Sequence, residues 1–207
     1  PKGTQWTDIE FDILRPDPDD LRKHPVSQYI GPVLEFHDHE EFEVYCYYNI
    51  DIADSTTERL KLFADHWRDI HDISDDAVAD MIEGDQIDIL IDLSGHTAGH
   101  RLTVFAHKPA PIQATWIGYF NTTGVKAIDY IITDQHLLPP TDDHLFVEKP
   151  LRLPFSAACY QAPNLDIAVG PLPALSNGHI TFGCFGVFGK HTAEAITLWG
   201  EILNQVP

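Results

Sequence analysis

Ile87-Asp-Ile-Leu-Ile-Asp-Leu-Ser-Gly-His-Thr-Ala-Gly-His-Arg101 falls into three parts. Ile87–Leu93 is a short apolar run rich in β-branched residues, and it stops at Ser94-Gly95, which is the pattern of a buried strand. Ser94, Gly95, His96, Thr97, Ala98, Gly99, His100 and Arg101 follow as a loop of small and polar residues. Arg101–His107 then has the pattern of a short helix. A buried strand emptying into a glycine-bearing loop that opens a helix is where an open α/β sheet binds ligands. Small residues let backbone N–H groups come close, and a helix N-terminus favours anions such as phosphate.

Outward from this stretch, strands and helices alternate. Ile9, Phe11 and Ile13 alternate with acidic residues as a first strand, and Arg15–Asp20 is a Pro/Asp loop. His24-Pro25 precedes a helix carrying Ile30, Val33, Leu34 and His37, with Pro25 suited to its first turn. Phe42–Tyr48 is a second strand, Thr56–His66 an amphipathic helix, and Trp67–Ile70 a short extended piece. Ser74 offers an N-cap to a helix ending near Glu83, and Ala77 stands where a capping box needs an acid or amide. Ile112–Ile117 and Ile128–Asp134 are further strands, separated by the small-residue loop Gly118–Gly124. His136–Pro150 is a Pro/Asp-rich excursion, and Leu151–Pro154 is extended. Such alternation predicts a parallel sheet covered on both faces.

Residues 8–160 therefore read as one Rossmann-like α/β domain, 161–178 as a Pro/Gly/Asn-rich linker, and 179–207 as a fresh β–loop–α unit. In that last unit His179–Phe185 is the expected strand, Gly186–Lys190 the loop, and Thr192–Val206 the helix. The carboxyl ends of the strands should bring His24, Ser94–Thr97 and Gly118 to one sheet edge.

Composition narrows the function. The chain has 207 residues, 43% of them hydrophobic, enough for a sizeable core. Its net charge of −19 argues against nucleic acid and against anionic membranes as partners. Three unevenly spaced cysteines, Cys46, Cys159 and Cys184, make neither a disulfide nor a zinc framework and fit a reducing, cytoplasmic compartment. No apolar run reaches membrane-spanning length. A start at Pro1 and a stop at Pro207 suggest an excerpt of a longer protein.

Three stretches carry a resemblance: Pro109-Ala-Pro-Ile-Gln-Ala-Thr-Trp-Ile-Gly-Tyr119, Thr122-Thr-Gly124 and Asp129-Tyr-Ile-Ile-Thr-Asp134. With His24-Pro25, the Ser94–Arg101 loop, Leu151–Pro154 and the Ile180–Lys190 stretch in the same order, the chain from about Asp8 resembles the catalytic region of the O-linked N-acetylglucosamine transferases. That family includes SPINDLY-like proteins and bacterial relatives with tetratricopeptide repeats. The resemblance implies a GT-B architecture of two Rossmann-like domains, here the N-terminal one plus the first βα unit of the second. It implies transfer of a sugar, N-acetylglucosamine from its uridine diphosphate donor, to Ser/Thr hydroxyls of a protein or peptide. SPINDLY-like fucose transfer is an alternative. It implies no cofactor or metal beyond the nucleotide sugar, and upstream tetratricopeptide repeats.

By the same resemblance, His24 is the active-site His-Pro histidine and a candidate base, and Lys190 contacts the nucleotide diphosphate and stabilises the leaving group. Pro25, Gly95, His96, Thr97, Arg101, Ile117, Gly118 and Tyr119 belong to the substrate site, with Ile117-Gly118 lining the sugar pocket. The chain departs from the family where Phe120 replaces the proline of Gly-Tyr-Pro, and where Gly186-Val187 replaces an Asn or Gln before the lysine. Two other classes of function are a catalytically silent binding module, favoured by those departures, and metal chemistry. For metal, His96 and His100 lack a diagnostic zinc spacing.

Overall fold

A computed structural model describes residues 9–11 (as backbone), 25–50, 53–162, 167–186, 189 and 191–206. The chain divides into two compact units, Pro1–Ala162 and Pro163–Pro207.

The first unit is built on seven parallel strands: β1 (Ile9–Phe11), β2 (Tyr45–Tyr48), β3 (His66–Asp69), β4 (Ile89–Asp92), β5 (Ile112–Trp116), β6 (Tyr130–Thr133) and β7 (Lys149–Arg152). They lie in the order β3-β2-β1-β4-β5-β6-β7. The chain winds outward from β1 to β3, then returns past it to β4 and winds the other way. Right-handed crossovers put the helices of the two directions on opposite faces. On one face α1 (Pro25–Phe36) and α2 (Ser55–Lys61) pack through Ile30, Leu34 and Leu60 on Cys46 and Tyr48. On the other, α3 (Asp75–Asp85) and α4 (Leu102–Ala106) pack through Val78, Ile82 and Phe105 on Tyr47 and Leu90. The Cys46-Tyr47-Tyr48 alternation between the two cores is the two-residue period of a strand buried on both sides.

Helix starts follow local chemistry. The Asp54 carboxylate accepts from the Thr56 and Thr57 N–H groups while Thr57 Oγ1 accepts from the Asp54 N–H, a reciprocal cap that begins α2 one residue before the periodicity suggested. α2 ends at Lys61, short of the expected His66, because Asp65 and His66 both donate to the Val44 carbonyl and His66 pairs with Tyr45 in β3. Ser74 caps α3 through the Ala77 N–H alone.

In the second unit Thr192 caps α6 (Ala193–Gln205) through the Ala195 N–H. Within the stretch read as a linker, one helical turn, α5 (Ala174–Asn177), closes on Gly178 at φ +74°. His179–Phe185, expected as a strand, is not one: a strand needs a hydrogen-bonding neighbour, and among the described residues none pairs with it.

Asp85, the last residue of α3, ties the helix to the sheet. Arg68 of β3 grips its two oxygens at 2.9 and 3.2 Å, and the Tyr47 hydroxyl donates at 2.8 Å. Burial pushes the Asp85 carboxyl up, but the Arg68 and Tyr47 hydrogen bonds outweigh it and hold the folded pKa below the usual value. Such a group adds stability that is full above the unfolded-state pKa and is lost as pH falls through the folded one. Asp85→Asn should therefore cost about 1–2 kcal/mol at pH 7, and the deficit should shrink steadily below about pH 4, the unfolded-state value. Urea unfolding of both proteins across that range checks the sign. A deficit that grows on acidification would contradict it.

Candidate functional site

β1 and β4 are neighbours at the point where the winding reverses, so their carboxyl ends border the crevice in which open α/β sheets hold ligands. The loop after β4 is set by Asp92. Its buried carboxyl accepts from the Ser94 N–H at 3.0 Å, the Gly95 N–H at 2.9 Å and the Thr115 hydroxyl of β5 at 2.7 Å. Burial raises the Asp92 pKa, and those three donors work against the rise. The Thr97 hydroxyl closes the next turn on the Ser94 carbonyl at 2.9 Å.

The loop after β5 begins with a tight reversal. The Gly118 N–H donates to the Trp116 carbonyl at 2.7 Å, around Ile117 at φ +58°. A three-residue turn with positive φ at its centre is rare and strained, and a β-branched residue there more so. The Ile117 side chain is buried in the α1 face of the core together with Trp116, whose indole N–H donates to the Ala157 carbonyl at 2.8 Å. Packing on both sides holds the strained turn in place.

The two loops touch through glycines. A Cβ on Gly118 would lie 1.5 Å from the Leu93 carbonyl oxygen, and one on Gly95, at φ +54°, would lie 2.3 Å from Tyr119 Cβ. Beyond them the His96 Nε2–H donates to the Thr123 carbonyl at 2.7 Å, which leaves Nδ1 with the lone pair in the neutral ring. The ring meets Tyr119 and His100 edge-on, with centroids 5.4 and 5.7 Å away. Thr123 is itself held by buried Glu148, which accepts from its N–H at 2.8 Å, from its hydroxyl, and from the Thr122 hydroxyl at 2.7 Å. Phe120, at the family's proline position, is exposed and borders a shallow apolar hollow with Tyr119, Leu137, Leu138 and Phe146.

Gly95, His96, Thr97, Ile117, Gly118 and Tyr119 thus form one group at the carboxyl edge. Pro25 is the exposed first residue of α1, on the carboxyl side of β1. Arg101 faces another way. Its five N–H donors reach Asn49 Oδ1, the carbonyls of Ile70, His71 and Ile73, and Asp75 Oδ1, at 2.6–3.3 Å. Asn49 in turn donates to the Gly99 carbonyl at 3.0 Å. The guanidinium is a strut joining the loops after β2, β3 and β4. His24 and Lys190 lie outside the described residues.

The sequence reading passed over Asp92, Thr115, Glu148 and Asn49. Of these only Asp92 carries a local signal: Asp-x-Ser-Gly after a buried strand is the pattern of a side chain turning back on its own backbone.

A doubly wound parallel sheet with two glycine turns pressed together beside its switch point defines a Rossmann-like ligand-binding domain. The model of glycosyl transferase family 41 matches residues 18–159, and the chain belongs to that family. It is 42% identical over 192 residues to a probable UDP-N-acetylglucosamine–peptide N-acetylglucosaminyltransferase SPINDLY of Petunia hybrida, covering 91% of this chain and 21% of the relative. It is 35% identical over 198 residues to a probable UDP-N-acetylglucosamine–peptide N-acetylglucosaminyltransferase SEC of Arabidopsis thaliana, covering 91% of this chain and 20% of the relative. Among solved structures it resembles an O-GlcNAc transferase mutant of Thermobaculum terrenum, with a TM-score of 0.85 and 38% identity over 99% of this chain and 37% of that one. The chain thus spans about a fifth of the length of these curated relatives.

Gly118→Ala should destabilise the protein by about 3 kcal/mol or more, at the upper end of overpacking, because the clash is with backbone. Gly84→Ala, in α3 with nothing within 4 Å of the new methyl, should instead be neutral or stabilising by up to about 1 kcal/mol. Denaturant midpoints of the two variants measure the contrast. Equal effects would show that the loop contact is not tight.

Proposed function

We propose that the whole protein is a glycosyltransferase that moves N-acetylglucosamine from its uridine diphosphate donor to Ser/Thr hydroxyls of a protein or peptide acceptor. The observation that carries this reading is the pair of interlocked turns, Ser94–Thr97 and Ile117–Tyr119, on a family 41 domain. The names of the SPINDLY and SEC relatives, probable UDP-N-acetylglucosamine–peptide N-acetylglucosaminyltransferases, support the donor and the peptide acceptor.

Transfer from a nucleotide sugar releases a diphosphate, so negative charge builds on the leaving group. In this reading Lys190, two residues before the Thr192 cap of α6, neutralises that charge. His24 or another base takes the acceptor proton, and the Gly95–Thr97 and Ile117–Tyr119 turns shape the sugar subsite. His96, with Nε2 committed to Thr123, presents Nδ1 as an acceptor for a sugar hydroxyl or as an alternative base. Arg101 acts on the site only by holding the loop. The reaction needs no metal in this scheme, since a lysine supplies the charge. Tetratricopeptide repeats upstream would present the acceptor, and a cytoplasmic setting fits three cysteines that form no disulfide.

The test is single-turnover transfer of labelled sugar to a peptide by the full-length protein, with uridine diphosphate N-acetylglucosamine and guanosine diphosphate fucose compared. The first donor should be used in preference. Lys190→Ala should slow transfer by about 10²–10³, by analogy with removal of a preorganised donor, and Lys190→Arg less, because charge is kept while reach and fork geometry change. Preference for the fucose donor would overturn the sugar assignment. A Lys190→Ala rate within about twofold of wild type would overturn the role of the lysine.

A further inference from the structure

We propose that His37, His39 and Asp65 form a binding site for a divalent first-row cation, zinc by ligand type, at the amino edge of the sheet, away from the sugar site. His37 follows the last turn of α1, and Asp65 immediately precedes β3. One ligand atom from each of the three side chains fits a group spanning no more than 4.8 Å.

His37 Nδ1 lies 2.7 Å from the Leu34 carbonyl oxygen. A carbonyl only accepts, so Nδ1 carries the proton, and in the neutral ring Nε2 has a lone pair. That lone pair faces Asp65 Oδ2 at 3.2 Å, an oxygen that already accepts the Val44 N–H at 2.7 Å. Two acceptors so placed need a proton or a cation between them. His39 brings Nδ1 to within 2.8 Å of Asp65 Oδ1, and its ring centroid lies 3.9 Å from that of His37. A neutral His39 meets Oδ1 with its proton on Nδ1, so the unmatched contact is the one between His37 Nε2 and Asp65 Oδ2. One divalent ion held by two neutral imidazoles and the carboxylate satisfies every atom with a net charge of about +1.

The surroundings suit a cation. An imidazole that ligates metal ordinarily gives its other N–H to a carbonyl, and Leu34 supplies one here. Carbonyls at the end of α1 add negative potential. Asp38 shapes the intervening turn, its carboxylate accepting from the Glu40 N–H and its carbonyl from those of Glu41 and Phe42. The His37 side chain is 7% exposed, that of Asp65 26% and that of His39 56%. The site is therefore anchored on one side and open to a water ligand on the other. Ligand atoms around a tetrahedral zinc lie about 3.4 Å apart, so closing on the ion asks for small movements, and the exposed His39 is free to make them. Bound metal would fasten the end of α1 to the start of β3.

The experiment adds Zn²⁺ to metal-stripped full-length protein in competition with a chromophoric chelator. Wild type should take up one equivalent that His39→Ala and His37→Gln bind more than about 100-fold more weakly, a larger loss than second-shell changes give. Co²⁺ at the same site should show the visible band of a tetrahedral ion in wild type only. Zn²⁺ should raise the thermal midpoint of wild type and leave that of His39→Ala unchanged. Because His39 is exposed, the metal-free His39→Ala protein should melt close to metal-free wild type, which separates ligand loss from misfolding. Equal zinc uptake by wild type and His39→Ala, or none by wild type, would overturn the proposal whatever the outcome of the sugar-transfer assay.

Discussion

Everything at the carboxyl edge depends on the approach of two backbones. The Leu93 carbonyl occupies the space that a side chain at position 118 would fill, and Tyr119 occupies the space that one at 95 would fill. Such an approach is kept only if both loops are rigid, and a buried acid stands behind each. Asp92 orients the loop after β4 through the Ser94 and Gly95 N–H groups. Glu148 orients the loop after β5 through Thr122 and Thr123. Burying a carboxylate is expensive, and these two are kept in place by donors that would themselves be left unpaired without them. The His96–Thr123 hydrogen bond then links one loop to the other, so the histidine ring is positioned by both acids at once.

Much of this architecture was legible because it rests on short-range grammar. Strand runs, Gly-containing loops and the Ser74 cap are local, and they placed the alternating elements and the edge where Gly95, His96, Thr97, Gly118 and Tyr119 gather. Strand order was not legible in the same way, since right-handed crossovers fix the face each helix covers and not where the winding reverses. What the sequence hid is set by distant partners. Glu148 acts on residues 25 and 26 positions earlier, and the Arg101 donors reach acceptors 26 to 52 positions away. No local pattern distinguishes such an arginine from one that faces a ligand. Ile117 is harder still, since a β-branched residue is the last type expected at positive φ. Only the packing of Trp116 and Ile117 on the α1 core makes that conformation tolerable. The 179–185 segment failed for a related reason: its alternation is strand-like, but a strand is completed by a neighbour.

The two cores show why the edge is stiff. α1 and α2 cover one face and α3 and α4 the other, and Leu93 and Ile117, the first residues after β4 and β5, are packed in the α1 core. Arg101 adds a polar brace across the carboxyl ends of β2, β3 and β4, and Asp134 repeats the device of Asp92 at the end of β6. Its carboxylate accepts from the Ala157, Leu137 and His136 N–H groups, which hold its pKa below the usual range. A carboxylate at a strand's end that gathers backbone donors is thus used twice, at β4 and β6.

That habit bears on how so acidic a chain would meet an anionic donor. The described cations of the first unit are largely engaged: Lys61 with Glu58, Arg68 with Asp85, Arg101 with Asp75, Lys108 with Asp129 and Arg152 with Asp143. Each pair neutralises itself, and none of these five is left to face a diphosphate. The N–H groups of Ser94, Gly95 and Gly118 and the hydroxyls of Thr97, Thr122 and Thr123 are likewise committed within the loops. In the proposed reaction the charge on a departing diphosphate would be met by a cation outside these five pairs, and Lys190, two residues before the cap of α6, is the one the family resemblance names.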